Sequence, residues 1–272
     1  MRHEFGWFAA WAMMTRNVWG ARELILQLFK RDFFAGYKKS FLGWTWALLG
    51  PLIGVVSWVF MQMTGLLKPG DVGIPYPAYV LIGSSMWGLY AGFLTSAQST
   101  LSSGQSLIMQ VRYPHEALLF AQVANQLAGF GITFITNIAV LLVFRVVPSW
   151  CMLLLPLVAL PMFFLGSAIG LVMSMIDVVG FDVSRVLNVF LGLLYFLTPV
   201  IYSGTPENPT LALLVRWNPL TYLVCSARDM IIYGRLYHPM GYCITSGLSF
   251  VLFMISWRLF FVSEDKLVER MI

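Results

Sequence analysis

The chain has 272 residues, 59% of them hydrophobic and only 11% charged, with a mean hydropathy of +0.78. So little polar surface cannot sheath so much apolar matter in water, which excludes an ordinary soluble domain and makes lipid the main solvent. The formal charge of +5 then belongs to the basic decoration of a membrane face, and no nucleic acid partner is expected.

Residues Met1 to Gly20 are aromatic, carry His3, Glu4 and Arg16, and lack the small-residue cleavage site of a leader, so no cleavable signal is expected. From Arg22 to Lys39, apolar Leu24, Leu28, Phe29 and Phe33 stand beside charged Glu23, Lys30, Arg31 and Asp32. That is the pattern of an amphipathic helix lying on a membrane surface. Then the charges stop. Ser40 to Leu67 holds no Asp, Glu, Lys or Arg, a run longer than the roughly 20 residues that cross about 30 Å of hydrocarbon.

Similar charge-poor runs predict six spans in all, at about 41–66, 78–98, 117–145, 151–176, 187–202 and 240–261. They must be helices, because backbone polar groups in lipid have to pair internally. An even number of crossings puts both ends on one side. Of the 17 Lys and Arg, only Lys68, Arg145, Arg216, Arg228 and Arg235 fall on the other side, so the terminal side is expected to be cytoplasmic. The expected architecture is an all-α polytopic membrane protein with a single transmembrane domain over 1–272. It comprises a cytoplasmic N-terminal part with its surface helix (1–40), a six-span bundle (41–262) and a cytoplasmic tail (263–272).

Small residues four apart, Gly50 with Gly54, Gly88 with Gly92 and Gly166 with Gly170, point to close helix packing and to no particular chemistry. Between spans two and three, Thr100 to Leu118 reads as a short cytoplasmic helix around Leu107 followed by a proline-led start to span three. It is either a plain connection or a docking segment for a partner. Asp177, Asp182 and Arg185 in the next inner loop lack the third ligand a metal site requires and read as a solvated edge with a local ion pair.

After Tyr202 comes a segment too long for a turn, with two apolar stretches, Leu211 to Val215 and Leu220 to Tyr233, split by Asn218-Pro219. Each is too short to cross, so they are either half-membrane helices that dip in and return or helices lying on the outer surface. Arg228-Asp229 within the second stretch is either a functional pair or an interfacial one. Cys151, Cys225 and Cys243 read as buried small hydrophobes.

No P-loop, HExxH or GxSxG motif occurs, and the spans hold almost no ionisable group, so an enzyme or a proton-coupled carrier is disfavoured. What the spans offer is aromatics with hydroxyls: Trp44, Trp46, Trp58, Phe60, Trp87, Tyr90, Phe93, Tyr195, Phe196 and Tyr202, beside Ser84, Ser85, Thr95 and Ser96. Such rings either form interfacial belts or line a path on which the C–H faces of sugars slide. A transporter of this make has to take its energy from another chain.

One family shares this arrangement. The stretch Arg31-Asp-Phe-Phe-Ala-Gly-Tyr37-Lys38-Lys-Ser40-Phe-Leu-Gly-Trp44-Thr-Trp46 with Pro51, then Arg112-Tyr113-Pro114, Thr198-Pro199-Val-Ile-Tyr202 and Trp217-Asn218-Pro219-Leu220 with Arg228, resembles the membrane subunits of type 2 ABC exporters. The branch it looks like exports lipid-linked polysaccharides: O antigen, capsule or teichoic acid.

The resemblance implies a channel-forming subunit moving an undecaprenyl-linked glycan, most naturally O antigen, from cytoplasm to periplasm across a bacterial inner membrane. It implies a homodimer joined to two copies of a separate ABC ATPase, which would bind ATP and magnesium while this chain holds no cofactor. It further implies a channel between the two copies, and the aromatic reading of the spans places Trp44, Trp46, Trp58, Trp87, Tyr90, Phe93, Tyr195, Phe196 and Tyr202 along it. An outer gate would use Arg216, Asn218, Pro219 and Arg228. ATPase coupling would fall to Arg31, Tyr37, Lys38, Gln105, Leu107, Arg112, Tyr113 and Pro114. The alternatives are a drug or small-lipid exporter of the same fold and, outside transport, a polytopic lipid-modifying enzyme. Residues Met1 to Gly20 stand outside this pattern.

Overall fold

A computed structural model of the chain describes residues 7–38, 43, 45–101, 116–178, 180 and 182–271, and every regular element among them is helical. In chain order these are α1 (Trp7–Gly20), α2 (Arg22–Lys38), α3 (Thr45–Met63), α4 (Tyr76–Gln98) and α5 (Glu116–Val143). A 3-10 turn (Trp150–Leu154) then leads into α6 (Leu155–Asp177), followed by α7 (Val183–Leu197), α8 (Pro209–Trp217), α9 (Pro219–Ile232) and α10 (Pro239–Met271).

Four runs, Tyr76–Gln98, Ala117–Val143, Trp150–Asp177 and Pro239–Ser263, are long and apolar enough to cross a bilayer, which makes the chain a multi-pass membrane protein. The first and fifth predicted spans give shorter helices. α3 ends at Met63 rather than at 66 because left-handed Gly65 (φ +74°) closes it, with Leu67 N donating back to Met61 O at 3.0 Å. α7 begins at Val183 and stops at Leu197, short of 202, since Thr198 takes the extended backbone (φ −101°, ψ 136°) that the following proline favours.

α4 is the axis of the bundle. In its apolar stretch 67% of the residues are buried, against 17% for α5, although it is the least hydropathic of the four long helices. Apolarity does not decide burial here: lipid solvates leucine as well as protein does, and the Gly and Ser of α4 gain from close packing in the interior. Its closest partner is α6. A side chain at Gly166 would meet Tyr90 O at 3.0 Å, and one at Gly170 would strike Leu94 O and Ala97. Of the three predicted small-residue pairs, only this one has both members at a helix contact; Gly50, Gly54 and Gly88 face open space.

α1 and α2 share one face of the bundle, called here the near face. α2 buries Leu28 against Leu118 and Ala121 at the start of α5, with Leu24 and Ile25 packed alongside. Phe29 and Phe33 stack on each other at 5.4 Å, while Phe34 and Leu26 are exposed. α1, which the sequence left without a role, is anchored by fully buried Met14 and by Trp11 Nε1, 3.4 Å from Met254 O of α10.

At the opposite, far face the loops are sewn together. Ser203 N donates to Pro69 O and Ser149 N to Ile231 O, both at 2.8 Å, and Tyr76 and Tyr79 donate from α4 to Ile201 O and Tyr202 O. The cysteines are all free, but only Cys225 is buried. Cys151 is half-buried and Cys243 exposed, because the first turns of α10 present one side outward.

Candidate functional site

Four helices, α3, α4, α5 and α7, enclose a cleft of about 490 Å³. Its aromatic wall is built around Tyr195 of α7. Trp58 stacks on that ring at 5.9 Å and meets Phe196 edge-on at the same distance, and Trp87 meets Tyr195 edge-on at 5.6 Å. The Tyr195 hydroxyl lies 3.1 Å from Ser84 Oγ, which fixes the ring from α4. Trp46 and Phe130 complete the apolar lining.

The polar wall comes from α4 and α5. Ser84, Ser85, Gln126 and Thr133 line the cleft; Gln126 Nε2 donates to Gly88 O at 3.2 Å and lies in the space that a side chain at Gly92 would need. Ser85 Oγ is 2.7 Å from Leu81 O and 3.0 Å from Asn137 Oδ1, while Asn137 Nδ2 is buried without a partner. Turning that amide over lets Nδ2 donate to the hydroxyl and the hydroxyl to Leu81 O. No lining residue of the cleft carries a charge. Rings beside neutral donors and acceptors suit a neutral, hydroxyl-bearing guest.

The predicted channel residues therefore separate. Trp46, Trp58 and Tyr195 line the cleft, and Phe196 lies at its edge against Trp58. Trp87 and Tyr90 are buried behind it, in contact at 5.6 Å. Phe93 is buried and borders a second, apolar groove with Phe163 and Phe120. Tyr202 sits beyond the end of α7, donating to Phe196 O at 3.0 Å. Trp44 lies outside the described residues.

Gln126, Phe130, Thr133 and Asn137 were not singled out from the sequence, yet their spacing of four, three and four puts them on one face of α5. Uncharged amides in mid-span were the signal.

The predicted outer-gate residues fall in two groups at the far face, Arg216, Asn218 and Pro219 at the α8–α9 break and Arg228 further along α9. Asn218 ends α8 and caps α9: its Oδ1 accepts from Leu220 N at 3.0 Å, and its Nδ2 donates to Thr198 Oγ1 at 2.9 Å and Leu197 O at 3.2 Å. The break between the two short helices is thereby pinned to the end of α7. Pro219 opens α9, and Arg216 is exposed in the last turn of α8, its carbonyl accepting from the Tyr222 hydroxyl at 2.7 Å.

α9 is buried in the bundle from Leu223 to Ile232, so it does not lie on the surface. Arg228 is 3% exposed. Its Nε is 3.3 Å from Asp229 Oδ1, its Nη1 donates to Pro199 O at 3.1 Å, and its guanidinium lies 4.2 Å over the Tyr79 ring. Burial holds the Asp229 carboxyl above its usual range, and the Arg228 guanidinium offsets this only in part.

Of the predicted coupling residues, Gln105, Leu107, Arg112, Tyr113 and Pro114 lie outside the described residues. Tyr37 and Lys38 form the last turn of α2, and Arg31, exposed on it, pairs with Asp32 at 2.7 Å. At the same face Gln98 Nε2 donates to Asp177 Oδ2 and Ser184 Oγ, both at 2.8 Å, tying together the ends of α4, α6 and α7. Asp182 and Arg185 make the expected exposed pair at 3.2 Å.

No family model matches the chain. It is similar to the O-antigen export system permease protein RfbA of Myxococcus xanthus, with 24% identity over 258 residues that cover 94% of this chain and 98% of that protein. Two proteins of the same name from Klebsiella pneumoniae are 21% and 22% identical over 225 residues, 82% of this chain and 85% of each of theirs. The relatives are permease components of export systems rather than enzymes, in keeping with the resemblance read from the residues.

Proposed function

We propose that this chain is the membrane-spanning subunit of an ATP-driven exporter that moves a lipid-linked polysaccharide, of O-antigen type on an undecaprenyl carrier, out of the cytoplasm. The similarity to an O-antigen export permease along nearly the whole of both chains carries the reading. The uncharged cleft supports it, because stacked rings with hydroxyl and amide groups suit a neutral glycan that has to slide without a deep binding well.

In this reading α3, α4, α5, α6, α7 and α10 are the six crossings, with the near face in the cytoplasm of a bacterium and the far face in the periplasm. Two copies of the chain pair so that their clefts form one path. α8 and α9 close its outer end, with Asn218, Pro219, Arg216 and Arg228 as gate residues. α2 and the segment holding Gln105, Leu107 and Arg112 dock two copies of a separate ABC ATPase. Hydrolysis, with its nucleotide and magnesium, belongs to that partner.

Deleting the gene and restoring it on a plasmid tests the proposal. Surface glycan, followed on gels of extracted lipid-anchored polysaccharide, is expected to vanish and return. A P-loop ATPase is expected to co-purify with the tagged chain at one copy each. Unaltered surface glycan in the deletion strain would overturn the export reading, and a chain that purifies alone would overturn the ATP-driven part.

A further inference from the structure

We propose that the far face holds a saccharide-binding subsite separate from the cleft, in a polar pocket of about 490 Å³ between the α3–α4 loop, the segment after α7 and the end of α9. The proposal rests on the export reading for the origin of the sugar, and it places one resting point of the emerging chain.

The composition of the pocket selects the ligand class. Two guanidinium groups, Arg228 and Arg235, face two carboxylates, Asp71 and Asp229, so the charges cancel. An anion would meet the carboxylates and a cation the guanidinium groups. A neutral polyol satisfies both, since each hydroxyl donates to a carboxylate and accepts from an arginine. The volume falls within the usual range of about 300–1,000 Å³ for small-ligand sites.

The walls are fixed in advance. Arg228 and Asp229 are buried, and the pair is held by Pro199 O and the Tyr79 ring. The Tyr237 hydroxyl donates to Gly204 O at 3.0 Å, and the Tyr233 hydroxyl reaches Val72 O at 3.4 Å. Both contacts need glycine beside them: a side chain on Gly73 would strike the Tyr233 hydroxyl, and one on Gly204 would lie 2.7 Å from that of Tyr237. With their hydroxyls tied to the walls, the two rings contribute apolar surface to the lining, as C–H faces of a sugar require. Removing two charges from water is costly even when they are paired. Neither the capping of α9 by Asn218 nor the cleft uses this pair, whereas a ligand in the pocket would.

The test uses the whole exporter, this chain with its ATPase, in lipid nanodiscs. Lipid-free polysaccharide released from the surface of the host cell is titrated in by calorimetry. Saturable binding is expected, weakened about tenfold or more by Asp71→Asn and by Arg235→Gln, each of which loses a charged partner for a hydroxyl. Asparagine keeps the oxygen that accepts from Gly73 N at 3.0 Å, so the loop stays folded. Exposed Glu207 lies outside the pocket, and Glu207→Gln is expected to bind as the parent does.

Equal binding in all variants, or no saturable binding by a complex that exports the glycan, would overturn the subsite. Monosaccharides that bind as tightly as the polymer at equal sugar concentration would overturn its assignment to the exported chain. The export reading falls by a different result, unaltered surface glycan after deletion.

Discussion

Replacing Gly170 with alanine probes the contact on which the bundle is centred. The new methyl would lie 2.6 Å from Ala97 Cβ and 3.0 Å from Gln98 N, and nearer still to Leu94 O. Two of those three are main-chain atoms of α4 and cannot rotate away, so the helices must part. Helix propensity alone favours alanine by about 1 kcal/mol, and a methyl moved from lipid into protein gains little. Overpacking costs about 1–3 kcal/mol, and a backbone obstacle belongs at the upper end of that range. The net expectation is a loss of about 1–2 kcal/mol. The assay is the melting midpoint in detergent at one fixed scan rate, since unfolding of such proteins is seldom reversible. Gly247→Ala on α10 is the control, because nothing lies within 4 Å of its Cβ position, and it should melt at or above the parent. If Gly170→Ala melts no lower than the parent while the control behaves as stated, the close α4–α6 approach is not what holds the bundle.

Arg228→Met leaves Asp229 buried beside an apolar chain and should cost about 3–5 kcal/mol, read as lost folded yield on size exclusion; adding Asp229→Leu should recover much of it. Trp46→Ala and Tyr195→Ala should each lower surface glycan several-fold while the ATPase still co-purifies, and normal glycan in both would remove them from the path. Leu28→Asp, which puts a charge where α2 meets Leu118 and Ala121, should loosen α2 from α5. Its measure is the yield of co-purified ATPase, and an unchanged yield would mean that α2 does not present the docking surface.

How far the sequence could be read depended on whether the signal was local. The four long spans and α2 were legible because absence of charge and helical periodicity need no partner. The ends of α3 and α7 were not: Gly65 and Thr198 terminate their helices through backbone conformation, which a hydropathy run ignores. Aromatic side chains in a span look alike in sequence. Tyr195 turns to the cleft while Tyr90, equally aromatic, is buried behind it, because only the packing of α4 on α6 decides which side of α4 is inside. Gln126 was missed for a related reason: an uncharged amide barely alters hydropathy, yet it occupies the notch left by Gly92. Asn218 was marked as a gate residue from the sequence; its bonds to Leu197 and Thr198 add that the break between α8 and α9 is joined to α7 at that point.

The brevity of α7 reaches beyond the protein. At 1.5 Å per residue its 15 residues measure about 22 Å, against about 30 Å of hydrocarbon. As one of the six proposed crossings, it would draw the surrounding bilayer into a dimple, since lipid tails shorten their reach more cheaply than a helix end can stay dehydrated. The dimple falls beside Tyr195 and Phe196. On the proposed function, a sugar chain crossing there would meet a thinned barrier, so lipid thickness itself would become a variable that tunes how readily it passes.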